Sequence, residues 1–255
     1  MSILDLFRLD GKVALVTGAG RGLGQGFAGG LAQAGADIVG LDIISLEETQ
    51  VQVQALGRRF MPVTFNLREA SVAQLNGVVE QVVKEMGRLD ILVNNAGIIR
   101  RAPAIEFSEE YWDDVIQINL KAAFFLAQAA GRVMAQQGSG KIINIASMLS
   151  FQGGILVPSY TAAKSAVAGI TRALANEWAA KGINVNAIAP GYMATDNTAP
   201  IRADPARSES ILGRIPAGRW GEPADLQGVA VFLASAASDY MHGAIVPVDG
   251  GWLTR

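Results

Sequence analysis

The chain has no cysteine and a single histidine, His242, among 255 residues. Without thiols there is no disulfide, no cysteine nucleophile and no thiolate metal site. One imidazole excludes a histidine-rich metal centre and leaves a Ser-His-Asp hydrolase unsupported, so no metal is expected. An excess of one charge is also missing: 21 Lys and Arg stand against 23 Asp and Glu, for a formal net charge of −2. Basic residues run no further than the pairs Arg58-Arg59 and Arg100-Arg101. Neither nucleic acid nor an anionic membrane surface is offered a patch. The opening "MSILDLFRLDGK" is broken by Asp5, Arg8 and Asp10, unlike a signal peptide. Residues 142–163 carry no formal charge. A membrane span needs about 20 mostly apolar residues, and Asn144, Ser147, Gln152, Gly153-Gly154 and Pro158 break this window into strand, loop and helix start. A soluble, cytoplasmic protein is expected.

What is present is apolar and periodic. Half of the residues are hydrophobic and 29 are glycine. Short β-branched runs at 12–17, 36–42, 60–66, 89–95, 141–147 and 183–190 read as strands, several apolar at consecutive positions as buried parallel strands require. Between them lie helical patterns at 22–35, 45–57, 69–87, 108–137 and 158–181, the fourth with Ser108 as cap and acids in its first turn. Repeated βαβ units predict an α/β fold: one Rossmann-type, doubly wound parallel sheet over residues 1–255 as a single domain. The polar stretch 192–215 is long for a connection and is expected to be a substrate flap.

"TGAGRGLG" (17–24) follows the first strand and opens the first helix. Glycines there let backbone N–H groups approach a pyrophosphate, and the helix N-terminus favours its charge; the plain alternative is a tight turn without ligand. Asp42 ends the second strand 18 residues beyond Gly24, where a carboxylate accepts ribose hydroxyls of NAD and repels the 2′-phosphate of NADP. Arg21 pulls the other way, since it could attract that phosphate. NAD is the expected cofactor, with NADP second.

Tyr160 and Lys164, in "SYTAAK", are one helical turn apart on one face, and Ser147 stands 13 residues before Tyr160 at a strand end. Each alone has a bland structural reading: a surface helical pair, a strand-end cap and, for Asn119, a buried amide bonded to backbone. Together with "TGAGRGLG", "NNAG" (94–97), Asn119 and "PGYMAT" (190–195), in this order, they make the chain resemble a short-chain dehydrogenase/reductase along essentially its whole length.

That resemblance implies a catalytic set of Asn119, Ser147, Tyr160 and Lys164. Hydride transfer to a carbonyl leaves an alkoxide that needs a proton, and the reverse needs a base. A tyrosine serves both, but a free pKa of about 10 must move about three units to reach neutrality, worth about 4 kcal/mol. Lys164 and the oxidised nicotinamide supply positive charge for that shift, Ser147 steadies the substrate oxygen, and in the family the asparagine holds a water of the proton relay. Cofactor contacts are implied at Gly18, Arg21, Gly22, Leu23, Gly24, Asp42, Asn94, Ala96, Gly97, Tyr160, Lys164, Pro190, Gly191 and Thr195, with Ile188 packing nearby. Asn66-Leu67 replaces the aspartate many relatives carry for adenine, so that contact loses its charge.

Longer stretches, among them "IASMLSFQGG", "NAIAPGYMAT" and "RIPAGRWG", resemble the family's sugar-acid oxidoreductases. They imply a deoxy keto sugar acid such as 2-dehydro-3-deoxy-D-gluconate. Its carboxylate needs a cation; Arg100 and Arg101 follow "NNAG", and Arg202 lies in the expected flap. Ser147, Gln152, Tyr160, Arg101 and Tyr192 are the expected substrate contacts, while Arg219 and His242 read as structural. A gluconate or polyol dehydrogenase, or a 3-oxoacyl carrier-protein reductase, is the alternative; a non-catalytic nucleotide-binding scaffold would be expected to have lost Tyr160, Lys164 or Ser147. By resemblance, a homotetramer joined through the helices near 108–137 and 158–181 and the final strand is expected.

Overall fold

Every residue of β1 (Val13–Thr17) is buried, because successive side chains enter two different apolar layers. Val13 and Leu15 belong to one core, Ala14 and Val16 to the other. The computed structural model describes residues 2–254. Within them the chain runs α1 (Gly22–Gln33), β2 (Asp37–Asp42), α2 (Glu47–Ala55), β3 (Phe60–Thr64), α3 (Val72–Met86) and β4 (Ile91–Asn94). It continues through α4 (Glu109–Ile116), α5 (Ala123–Gln137), β5 (Gly140–Ile145), α6 (Pro158–Trp178) and β6 (Ile183–Pro190). Two short helices, α7 (Ala199–Arg202) and α8 (Pro205–Leu212), precede α9 (Pro223–Ala234) and β7 (Ile245–Val248).

The strands form one seven-stranded sheet in the order β3-β2-β1-β4-β5-β6-β7, and each neighbouring pair is parallel. Leu75, Val79 and Val82 of α3 and Leu126, Ala130 and Met134 of α5 cover one face. Phe27 and Leu31 of α1 and Leu226, Ala230 and Leu233 of α9 cover the other. The expected doubly wound α/β fold is therefore what forms. Strand order reverses between β1 and β4, and at such a switch point the loops leaving the carboxyl ends part to make a crevice.

Two segments differ from the pattern read in the sequence. The helix expected over 108–137 is interrupted by a π-helical turn at Gln117–Ala122, a widening that recurs at functional sites, and Asn119 sits within it. The stretch 192–215 is not irregular. It holds a 3-10 turn at Asp196–Thr198 followed by α7 and α8, and Ile211 and Ile215 pack with Met148 and Trp252 in a small core of their own. Among the described residues no helix is long and apolar enough to cross a membrane.

The turn from β1 into α1 is fixed by contact at glycine. A Cβ on Gly24 would lie 1.9 Å from the Gly18 carbonyl oxygen and 2.6 Å from Asn95 Nδ2. Since the first obstacle is backbone, Gly24→Ala is expected to cost about 2 kcal/mol or more. Denaturant unfolding reads this directly, and an unchanged midpoint would show that the turn yields.

Candidate active site

The carboxyl end of β1 is locked to that of β4 by one hydroxyl. Thr17 Oγ1 accepts from Asn95 N at 3.0 Å and Ala96 N at 2.9 Å, and Asn95 Nδ2 donates to Thr17 O at 2.8 Å. Gly18 follows at φ +68°, a left-handed backbone that glycine adopts without cost, and its N–H reaches across to Leu41 O at 2.7 Å. At the end of β2, Asp42 Oδ2 accepts from Gly20 N at 2.9 Å and Oδ1 from Ile43 N at 2.7 Å. The carboxylate is thereby pinned beside the glycine turn, where the first N–H groups of α1 point outward.

These elements enclose a cavity of about 440 Å³. Of the residues expected to bind cofactor, Gly18, Arg21, Gly22, Leu23, Asp42, Asn66, Leu67, Ala96, Gly97, Tyr160, Lys164 and Thr195 line it. Gly24 packs beneath the turn, and Pro190 and Gly191 line a neighbouring cavity. Ile188 is fully buried in the core.

Asn94 requires a correction. Adjacent residues of an extended chain face opposite ways, so Asn95 lines the cavity while Asn94 turns into the protein. Its Nδ2 donates to Ala123 O and Asn144 Oδ1, both at 3.0 Å. Ile43, Ile44 and Phe65 also line the cavity and were missed, since a short apolar residue at a strand end carries no signal distinguishing cleft from core. Arg21 Nη1 pairs with Asp196 Oδ2 at 2.8 Å, both side chains exposed.

A second cavity, of about 430 Å³, holds Ser147, Gln152, Arg101 and Tyr192. The two share Tyr160, Leu23, Ile145, Thr195 and Asn197. α6 carries both Tyr160 and Lys164, and Lys164 Nζ stands 5.6 Å from the Tyr160 ring centre. Nζ donates to Ile145 O at 2.5 Å, and Ser150 Oγ donates to Lys164 O at 2.6 Å. The 3-10 turn at Met148–Ser150 orients Ser147: Leu149 N donates to Ser147 Oγ at 3.1 Å, leaving the hydroxyl proton to point elsewhere. Asn119 is 2 % exposed. Its side chain clamps one residue, accepting from Ile98 N at 2.9 Å and donating to Ile98 O at 3.0 Å. These contacts are those of a buried amide bonded to backbone.

Burial dominates the electrostatics. It pushes the Tyr160 hydroxyl up to about 12, with the Ser147 hydroxyl and then the Arg101 charge pulling it down. Among the protein's own groups, the surroundings of the phenol disfavour its anion more than its neighbours support it. Arg101, from a loop the YxxxK spacing does not include, is a further cation acting on the phenol. Lys164, 4 % exposed, is lowered to about 8 by burial.

Arg100 does not reach this cavity. Its Nη2 pairs with Asp114 at 2.8 Å and the guanidinium stands 5.5 Å from the Tyr111 ring. Arg202 is exposed and donates to Thr195 O at 3.2 Å. Arg219 pairs with Asp225 at 2.7 Å near the start of α9, and exposed His242 meets Asn184 at 3.3 Å.

The family model described as enoyl-(acyl carrier protein) reductase matches residues 18–253. The 2-dehydro-3-deoxy-D-gluconate 5-dehydrogenase of Dickeya dadantii (strain 3937) is 63 % identical over 254 residues, covering 99 % of this chain and 100 % of that protein. A protein of Agrobacterium tumefaciens, described provisionally as a 2-deoxy-D-gluconate 3-dehydrogenase and solved with bound NADP, superposes with a TM-score of 0.91 at 55 % identity, covering 98 % of this chain and 100 % of that one. A gluconate 5-dehydrogenase of Burkholderia cenocepacia J2315, solved with NADP and tartrate, gives 0.94 at 41 % identity with 100 % of both chains covered. With a parallel sheet, a glycine turn and paired cavities of this kind, the chain belongs to the short-chain dehydrogenase/reductase family of oxidoreductases acting on CH–OH groups.

Proposed function

We propose that this protein is a nicotinamide-dinucleotide-dependent dehydrogenase that interconverts a secondary alcohol and a ketone on a deoxy keto sugar acid of the 2-dehydro-3-deoxy-D-gluconate type. The observation that carries this reading is the meeting of two cavities at Tyr160. Hydride donor and acceptor must touch where a proton is exchanged. The sugar-acid identity rests on likeness to relatives so named.

The cavity with the glycine turn fits a dinucleotide. A Cβ on Gly22 would point across it, 3.7 Å from Thr195 Cγ2, so bare backbone there keeps the α1 N-terminus open to a pyrophosphate. Asp42 offers acceptor oxygens to a ribose, and the buried Lys164 ammonium has three donors, one given to Ile145 O. Bound there, the nicotinamide supplies the hydride.

The chain's own groups do the rest. Held well above neutrality, the Tyr160 hydroxyl is protonated at pH 7 and ready to donate to an alkoxide. Ser147 Oγ–H steadies that oxygen while the charge develops. Lys164 and Arg101 support the phenolate left behind. Asn119 acts as a positioning residue, holding the Ile98 backbone next to Gly97. Residues 192–215 serve as the flap of the substrate cavity, to which they contribute Tyr192, Ile201 and Ile211.

We infer NAD as the preferred dinucleotide, because Asp42 lines the ribose side and Arg21, the cation nearest a 2′-phosphate, is paired with Asp196. A second reading, NADP, is favoured by its presence in the two solved relatives; the exposed Arg21–Asp196 pair is worth less than about 1 kcal/mol and opens readily. We also infer a homotetramer. Exposed Ile105, Tyr111 and Trp112 near the start of the long α4–α5 helix and Tyr240 before β7 leave apolar surface where a second copy would pack. Light scattering giving a monomer at assay concentration would refute it.

Steady-state reduction of 2,5-diketo-3-deoxygluconate with NADH and NADPH tests the substrate and the cofactor together. Turnover in reduction is expected to fall as pH rises through about 8, where Lys164 loses its charge, and Tyr160→Phe should lower kcat by about a thousandfold or more. Binding of NADH with no turnover of this substrate would remove the sugar-acid assignment.

Asp42→Ala is expected to move the NADH:NADPH ratio of kcat/KM toward NADPH by about tenfold or more. An unmoved ratio would leave Asp42 no part in the choice.

Lys164→Met should abolish turnover yet stabilise the fold by about 1–3 kcal/mol at neutral pH. The folded lysine releases its proton near 8 rather than 10.5, so wild-type stability rises across that window and the variant's advantage fades there. Urea unfolding at several pH values checks the sign.

A further inference from the structure

Three arginines line the substrate cavity: Arg101 from the loop after β4, Arg207 from α8, and Arg214 just beyond α8. No aspartate or glutamate shares that lining. Elsewhere arginines find carboxylates, as Arg68 and Arg100 do at Asp114, Arg88 at Asp90 and Arg219 at Asp225. Among the described residues none of these three guanidinium groups forms an ion pair with a carboxylate within 4.0 Å, although the Arg207 backbone N–H donates to Asp204 Oδ1 at 3.2 Å. Arg101 donates to Asn197 O at 3.1 Å. The Arg214 guanidinium carbon stands over Trp252, 4.0 Å from the ring centre, a contact that leaves N–H groups of its fork for a ligand. A chain with net charge −2 has thus gathered three cations around one concavity.

We propose that Arg101, Arg207 and Arg214 form one carboxylate subsite, and that Arg207 and Arg214 select hydroxy acids over neutral polyols. This rests on the reading of the cavity as the substrate site and extends it to residues that spacing did not single out. A carboxylate placed among them satisfies planar forks bidentately and relieves their mutual repulsion.

The charges are graded along the cavity. Arg101 acts on Tyr160, whereas all three act on Tyr192. Arg101 itself, still reached by solvent, is pushed down first by the cavity walls and then by Arg207. Of the two cavities, Arg207, Arg214 and Tyr192 line only the second, whereas Tyr160 stands where the two meet, so the carboxylate end lies toward Tyr192 and the reacting carbon toward Tyr160. Because two of the arginines ride on residues 192–215, an acid ties that segment to the catalytic floor and a neutral polyol does not.

Calorimetric titration of the NADH-saturated enzyme with tartrate, a hydroxy dicarboxylate, and with threitol, its neutral counterpart, tests the subsite apart from turnover. Wild type is expected to bind tartrate and not threitol. Arg207→Gln and Arg214→Gln should each weaken tartrate by about ten- to a hundredfold, with Arg207→Lys recovering part of the loss. Arg202→Gln, in the same segment but outside the cavity lining, should bind as wild type does, and unfolding midpoints confirm that each variant is folded. Equal tartrate affinity in wild type, Arg207→Gln and Arg214→Gln would overturn the proposal, as would equal binding of tartrate and threitol by wild type. If wild type binds tartrate through these arginines but ignores 2,5-diketo-3-deoxygluconate, the subsite stands and the substrate assignment falls. If that substrate is reduced with a KM that Arg207→Gln and Arg214→Gln leave unmoved, the assignment stands and the subsite falls.

Discussion

Seven parallel strands bury few polar side chains in the sheet, and those, such as Asn94, Asn144 and Asn186, are engaged by hydrogen bonds within the protein. Chemistry is confined to the carboxyl ends, where backbone groups leave the ladder and loops part. Parallel pairing then brings those ends level: Val16 lies opposite Val93, Val93 opposite Ile143, and Ile145 opposite Ile188. Thr17, Asn95 and Ser147 follow directly from that alignment. The apolar core thus determines more than stability, because it decides which residues of distant segments share a crevice.

What the crevice does with charge follows from the burial of its two titratable groups, Lys164 more deeply than Tyr160. The same burial that holds Lys164 and Tyr160 in place raises the phenol and lowers the ammonium. Both shifts favour the neutral forms, so the pair is poised with a proton on oxygen and a weakened hold on the one at nitrogen. A surface pair at the same helical spacing would be screened by water and would barely shift. Desolvation keeps the proton on the Tyr160 oxygen, and the Ser147 hydroxyl and then Arg101 temper that effect.

Residues 192–215 bind these parts into one unit. Asp196 reaches Arg21 at the glycine turn, and Asn197 O receives Arg101 from the loop after β4. Ile211 and Ile215 anchor the far side against Met148 and Trp252. The segment touches both cavities through weak, exposed contacts while its root is apolar.

The sequence by itself determined six of the seven strands and the helices between them, because hydrophobic period and glycine placement act over a few residues, and resemblance to the family singled out Tyr160, Lys164, Ser147 and Asp42. The break of the fourth helical pattern at Asn119 escaped it, since a π turn uses ordinary helix formers. So did the exchange of Asn94 for Asn95, which turns on which side of a strand end faces the crevice. Arg207 and Arg214 looked like any surface arginines. Only the tertiary structure brought them beside Arg101, more than a hundred residues away in the chain, and only it made the Tyr160 surroundings dry enough to push its hydroxyl upward. Local pattern fixes what a residue is able to do, but charge in a cavity depends on every group that long-range packing brings to its walls.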